Sequence, residues 1–274
     1  GWNQGWYDDS LSLSLKYDFA LFNDLKGIGI WALGYDAGRT ELWDLLYNKF
    51  GETAPPTKPS KLSIKNIGDG SVKIDFQGSE NASEFIVLRG SLDVVGSLDT
   101  LGVYTNRPIV IDDLVEGELY FLGIAARNSL GTSEPTEMLG VVPSSNPVDF
   151  LIVNGFDRTS GTSNTFDFIR QHGSAIHSNG KTFDSASNEA IIDEDMNIMN
   201  YQFVDWILGE EGTSTSVFSN IEQEIIEGYL EGGRFLFISG SEIGYDLEAQ
   251  GSTADKQFYQ NYLKADYITD AAGG

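Results

Sequence analysis

Leu119-Tyr-Phe-Leu-Gly-Ile-Ala-Ala-Arg127 reads as a strand, and it anchors the middle of the chain. Shorter alternating runs precede it at Lys61–Lys65, Ser71–Phe76, Glu84–Arg89 and Ile109–Ile111. Gly68-Asp-Gly70 is a turn signal between the first two. Six or seven short strands in roughly 85 residues predict a small β-sandwich over 61–143.

Leu114 and Tyr120 stand at the spacing of a tyrosine corner. Ala126, Asn128, Gly131, Ser133 and Pro135 match the late strand and exit of the same fold. This module resembles a fibronectin type III domain along its whole length. The family's early-strand tryptophan is missing, with Ile74 or Phe76 in its place. The resemblance implies a spacer or an interdomain packing partner.

Outward from the sandwich, two proline-bearing stretches mark junctions. Residues 53–60, within Glu52-Thr-Ala-Pro-Pro-Thr-Lys-Pro-Ser60, read as an extended linker that cannot enter a sheet interior. Pro143-Ser-Ser-Asn-Pro147 is the second junction. Residues 1–52 are rich in aromatics and too few to bury a core of their own. Ser10 to Asn23 has helical spacing at Leu11, Leu15, Phe19 and Phe22. Gly27-Ile-Gly-Ile-Trp-Ala-Leu33 is continuous in the manner of a buried parallel strand. Thr40–Phe50 reads as a helix with Leu42, Leu45, Leu46 and Phe50 inward, Thr40 as N-cap and Lys49 suited to the helix dipole.

Gly5-Trp-Tyr-Asp-Asp9, Ser12-Leu-Ser-Leu-Lys16, Gly27–Asp36 and Glu41-Leu-Trp-Asp-Leu-Leu46 together resemble the end of a chitinase-like family 18 glycoside hydrolase. The resemblance implies a β/α barrel remnant. It makes Trp31 the floor of a sugar subsite, with Tyr7, Asp8 and Tyr35 as substrate-binding residues once the barrel is complete. The family's Asp-x-x-Asp-x-Asp-x-Glu motif does not occur in the chain, so its general acid is absent.

Residues 148–274 read as an α/β unit of three layers with a mostly parallel sheet. Val148–Phe156 is a first strand, Thr165–Arg170 starts a helix, and Gln202–Leu208 is a further strand or one turning into helix. Ser219 and Glu222 form a capping box before a helix with Ile221, Ile225, Ile226 and Leu230 inward. Gly232-Gly233 turns the chain into the parallel strand Arg234-Phe-Leu-Phe-Ile-Ser-Gly240, and Asp255–Leu263 is helical. Asp184–Met196, with Asp193-Glu-Asp195, reads as a solvated acidic loop without the twelve-residue calcium pattern.

Asn154–Arg158 and Ser239–Glu242 reach the carboxyl edge of the sheet, where ligands of open α/β sheets collect. The unit resembles flavodoxin-like or glutamine-amidotransferase-like domains of bacterial proteins labelled xanthan lyase or muramoyl-alanine amidase. The amidotransferase nucleophile is cysteine, and this chain has none. Ser241 takes the matching turn, and His172 and His177 are the only histidines. A serine-dependent esterase or amidase therefore needs one of those rings beside Ser241. Otherwise Ser239–Ser241 are a turn and Glu242 caps the next helix.

Lys and Arg total 17 against 41 Asp and Glu, a net charge of −24. That excludes a phosphate-gripping nucleic-acid protein and an electrostatic hold on anionic membranes. Without cysteine there are no disulfides, thiolate nucleophiles or thiolate-bound metals. No apolar run is long enough for membrane insertion, and no cofactor or metal is expected. The expectation is a truncated, multidomain accessory region of a secreted or cell-surface bacterial protein. Its parent would be a chitinase-like or cell-wall-directed glycoside hydrolase, with chitin or peptidoglycan as partner. The alternatives are the serine hydrolase and a non-catalytic carbohydrate-binding or structural module.

Overall fold

The computed structural model describes residues 8–269 except 24, 26, 31–39, 51–53, 92–95, 160, 166 and 212–215. The middle of the chain is a two-sheet sandwich built of β1 (Ser60–Gly68), β2 (Ser71–Gln77), β3 (Glu84–Gly90), β4 (Leu98–Tyr104), β5 (Ile109–Ile111), β6 (Tyr120–Asn128), β7 (Gly131–Thr132) and β8 (Leu139–Val141). One face is β1-β2-β5 and the other β4-β3-β6-β7, with β8 also on β6. This strand order is the fibronectin type III-like arrangement expected from the sequence, and it occupies about a third of the chain. Alternation places Leu62, Ile74, Val87, Leu122 and Ile124 in the core between the sheets. Tyr120 Oη accepts the Val115 backbone N–H at 3.0 Å, which closes the tyrosine corner beside buried Leu114. Phe76 and Phe85 meet edge to face at 4.9 Å between ring centroids in the tryptophan-less core. β4 carries Asp99 and Gly102 and lies exposed at a sheet edge, so its sequence shows little strand pattern.

The third part alternates strand and helix: β9 (Phe150–Asn154), α3 (Phe168–Ser178), β10 (Phe183–Ser187), α4 (Asn188–Ile192), β11 (Phe203–Gly209), α5 (Asn220–Glu231), β12 (Phe235–Gly240) and α6 (Thr253–Asn261). The strands are parallel in the order β10-β9-β11-β12. Phe183, Phe150, Phe203 and Phe235 hold one register row across all four. The Ser219–Glu222 capping box forms, but Ile221 is exposed and Tyr229 joins Ile226 in the core instead.

The acidic loop expected over Asp184–Met196 requires correction. Asp184–Ser187 belong to β10 and are buried, and 188–192 are helical; only Asp193–Asp195 are solvated. Asp184 and Ser185 can lie inside because they find partners from the sandwich and from Tyr201, and the Asn188 amide donates to Glu222, whereas Ser187 Oγ and Asn188 Oδ1 are buried without one.

β1 pairs antiparallel with β10, Ser63 opposite Ala186 and Ile64 opposite Ser185. The sandwich face and the parallel sheet thus form one seven-stranded sheet, β12-β11-β9-β10-β1-β2-β5. A shared apolar cluster seals the junction, with Phe121 and Val142 from the sandwich against Ile152, Ile169, Phe183 and Ile207. Asp184 accepts from the Asn66 N–H, the Asn66 amide and Tyr201 Oη at 2.9, 2.7 and 2.7 Å. Arg170 lies 4.9 Å over the Phe121 ring and donates to the Ser91 carbonyl. The proline-bearing stretch 54–59 lies along the sandwich: the Asn81 and Asn128 amides donate to the Ala54 carbonyl, and Pro56 and Pro59 are buried.

At the start of the chain, α1 (Ser10–Phe22) packs on α2 (Thr40–Phe50), with Tyr17 edge-on to Phe50 at 5.3 Å and Lys49 paired with Asp18. The expected strand at 27–33 is not formed over residues 27–30, which are irregular and exposed. A parallel strand needs neighbours to take its hydrogen bonds, and no described strand lies beside it. The helix expected over Ser10–Asn23 forms, but its periodic apolar residues are not its buried ones. Leu11, Leu15, Phe19 and Phe22 are exposed, and the buried residues are Tyr17 and Ala20.

Candidate functional site

The sequence nominated two groups of residues. From the barrel-like group, Tyr7, Trp31 and Tyr35 lie outside the described residues. Asp8 is exposed and bound by Lys16 at 2.6 Å, which holds its carboxyl below the usual aspartate range together with Ser12. It belongs to the start of α1, where Asp9 and Ser12 form a capping box.

From the hydrolase group, Ser241 is exposed at the end of β12. His172 Nδ1 is bonded to Asp205 Oδ2 at 2.7 Å, and its ring lies near Phe237. Phe237 is the register partner of Asp205, and Ser241 follows it along β12, roughly 13 Å further at strand rise. His177 is further down α3 and bonds the Gly117 carbonyl of the sandwich at 2.9 Å. The structure therefore brings neither histidine to Ser241. Instead it uses one to fix α3 on β11 and the other to fix α3 on the sandwich.

The strand order reverses between β9 and β11, where an open α/β sheet offers its crevice. That crevice is filled by the chain itself. Glu211 accepts the N–H groups of Asp157 and Arg158, both at 3.2 Å. Asn164 Oδ1 accepts from the Glu210 N–H at 2.6 Å, and its amide donates to the Arg158 carbonyl at 2.8 Å. Gly209, at φ 55, leaves room for that amide: a Cβ there would stand 2.2 Å from Asn164 Oδ1.

Beside it is an acidic corner between the modules. Glu137, from the stretch joining β7 to β8, accepts from the Asn154 amide at the end of β9. Burial, then the charge of Glu189, pushes the Glu137 carboxyl up to about 8. The same two causes push Asp157 up to about 6. Among the described residues no group of metal-ligating side chains is arranged to hold an ion.

Open space at the carboxyl edge lies beyond β12. Gly240-Ser241-Glu242-Ile243-Gly244 makes a sharp strand-to-helix turn, with Glu242 at its apex at φ 64. The glycine-x-residue-x-glycine spacing and the left-handed middle residue are those of a strand-to-helix elbow, here with glutamate in the middle. Ser241, nominated by sequence, is one position short of the apex. The helical stretch that follows widens to π geometry over Tyr245–Gln250. A cavity of about 320 Å³ lies against the elbow, lined by Glu242, Tyr245, Tyr259, Asp266 and Tyr267. The spacing of Gly240 and Gly244 about Glu242 was the available sequence signal.

No family model matches the sequence, and no curated protein matches it. Solved structures similar to part of the chain include fibronectin type III domains. The solution structure of the fibronectin type III domain of human fibronectin type III domain containing protein 3 is 17% identical, covers 34% of this chain and 93% of that one, with a TM-score of 0.29. The structure titled FN3tt mut is 15% identical over 30% of this chain and 91% of that one, TM-score 0.27. The twitchin kinase region from C. elegans is 20% identical over 40% of this chain and 19% of its own, TM-score 0.30. Among the described residues no helix is long and apolar enough to cross a membrane.

Proposed function

We propose that the chain is a non-hydrolytic accessory region of a secreted bacterial protein directed at chitin- or peptidoglycan-type polysaccharide. The observation that carries this reading is the seven-stranded sheet running from sandwich into α/β unit. Such continuity, with an apolar cluster beneath it, suits a rigid platform that holds its second unit in one orientation. The order β10-β9-β11-β12 is second, first, third, fourth in sequence, which supports the flavodoxin-like assignment. The likeness of residues 5–46 to the end of a family 18 barrel supports the polysaccharide assignment. Serine hydrolysis is disfavoured by the bond of His172 to Asp205, away from Ser241.

The purified chain is expected to be retained by insoluble chitin or peptidoglycan and to release nothing from an aryl chitobioside. Turnover above buffer would refute the accessory reading. Labelling of Ser241 by a fluorophosphonate, lost in His172→Ala, would replace it with the esterase.

A further inference from the structure

At the amino ends of β9, β10 and β11 the two modules enclose a cavity of about 300 Å³. One wall is β1, with Lys65; another is the junction, with Asn146, Pro147 and Val148; the third is the turn before β11, with Asn200. Its floor is the buried trio Asn66, Asp184 and Tyr201, already bonded to one another. Each wall is fixed from behind. The Ser144 N–H donates to Asn66 Oδ1 at 2.7 Å. The Ser145 N–H and hydroxyl donate to the Glu116 carboxylate at 2.7 and 3.1 Å. The Arg234 guanidinium donates to the Met199 carbonyl at 2.8 Å. The cavity is therefore shaped before anything enters it, and binding there need not order a loop. Its rim, by contrast, is unused. Among the described residues Lys65 forms no ion pair, and the side-chain amides of Asn146 and Asn200 form no hydrogen bond. These three side chains carry donors that converge on one opening, next to the apolar surface of Pro147 and Val148.

We infer that this cavity binds one neutral pyranose unit bearing an acetamido group. Charge decides against the other classes. An anion would face buried Asp184 and a chain of net charge −24, and a cation would face Lys65 at the mouth. A neutral ligand rich in acceptors suits the free ammonium and amide donors. An acetamido group offers such an acceptor in its carbonyl oxygen, and a methyl group for the proline and valine surface. A volume of about 300 Å³ is at the small end of ligand sites and holds a single sugar ring. The inference rests on the accessory reading for the kind of polysaccharide and adds where one of its units would sit. It also gives the fused sheet a purpose, because neither module alone carries all three walls.

The test is titration of the full chain with N,N′,N″-triacetylchitotriose, followed by calorimetry, with cellotriose as the control that lacks acetamido groups. The acetylated trisaccharide should bind in the millimolar range and cellotriose should not. Lys65→Met and Asn200→Ala should each weaken binding about fivefold or more, while melting like the parent, since neither side chain bonds to the protein. Raised salt should leave the affinity nearly unchanged, as expected of a neutral ligand. Absence of binding, equal binding of cellotriose, or unchanged affinity in both variants would overturn the inference. Retention of the chain on insoluble chitin without binding of the trisaccharide would overturn it and leave the accessory reading standing. Binding of the trisaccharide that both variants weaken, without retention on chitin or peptidoglycan, would uphold the site and remove the accessory reading.

Discussion

Asn66 donates to one carboxylate oxygen of Asp184 twice, through its backbone N–H and through its side-chain amide. One residue lies in the sandwich and the other in the parallel sheet, so this buried pair ties the two modules. Asp184→Ala would leave the Asn66 backbone N–H and the Tyr201 hydroxyl without their carboxylate acceptor, while the Asn66 amide keeps the Val142 carbonyl. The expected loss is about 2–4 kcal/mol. Urea unfolding followed by tryptophan fluorescence and by far-UV circular dichroism should shift in one shared transition. Separate transitions in the parent chain would contradict a fused unit.

Glu137 gives the fold a pH dependence of known sign. Burial pushes its carboxyl up to about 8 in the folded chain, against 4.5 ordinarily. Between those values the folded state holds a proton that the unfolded chain has released, so stability falls as pH rises through this window. Asp157, raised to about 6, acts in the same direction at lower pH. Glu137→Gln should therefore be more stable than the parent at pH 8.5 by about 1–3 kcal/mol and nearly equal to it at pH 4.5. Urea midpoints that differ equally at both values would reject this origin.

Gly240 is required by crowding. A Cβ there would lie 2.7 Å from Leu208 Cβ and 3.0 Å from the Gly209 carbonyl oxygen. Gly240→Ala should cost about 1–3 kcal/mol, because the neighbouring backbone is fixed by the Ser241–Gly209 bond. A denaturation midpoint unchanged from the parent would show that the turn can open.

On α1, Leu15 and Phe19 are 67% and 65% exposed, so they add little to the helix pair itself. Replacing both with Gln should change stability by less than about 0.5 kcal/mol and lower any concentration-dependent association. Sedimentation velocity across a concentration series measures the second effect. A large loss of stability would mean that this face is packed.

What was legible in the sequence was local or periodic. Ile74 and Leu122 announce buried strands by alternation, and Ser219 with Glu222 announces a helix start within four residues. β10 stayed hidden because Phe183-Asp-Ser-Ala-Ser187 is polar, and it is buried only through partners far along the chain: Asn66, Tyr201 and the Gly140 carbonyl. The exposed stripe of α1 has an inward-facing pattern, but pattern alone does not supply the surface it faces. The turn after β12 was legible from Ser239 to Ser241, but its left-handed residue is Glu242, a position that side-chain type does not announce.

β1 lies between β2 and β10, and it is also where the chain enters the sandwich. If the protein is stretched between its ends, tension arriving along β1 must shear two antiparallel ladders together, whose bonds run across the line of pull. The module boundary is then among the strongest points of the molecule, and the helix pair ahead of it yields first.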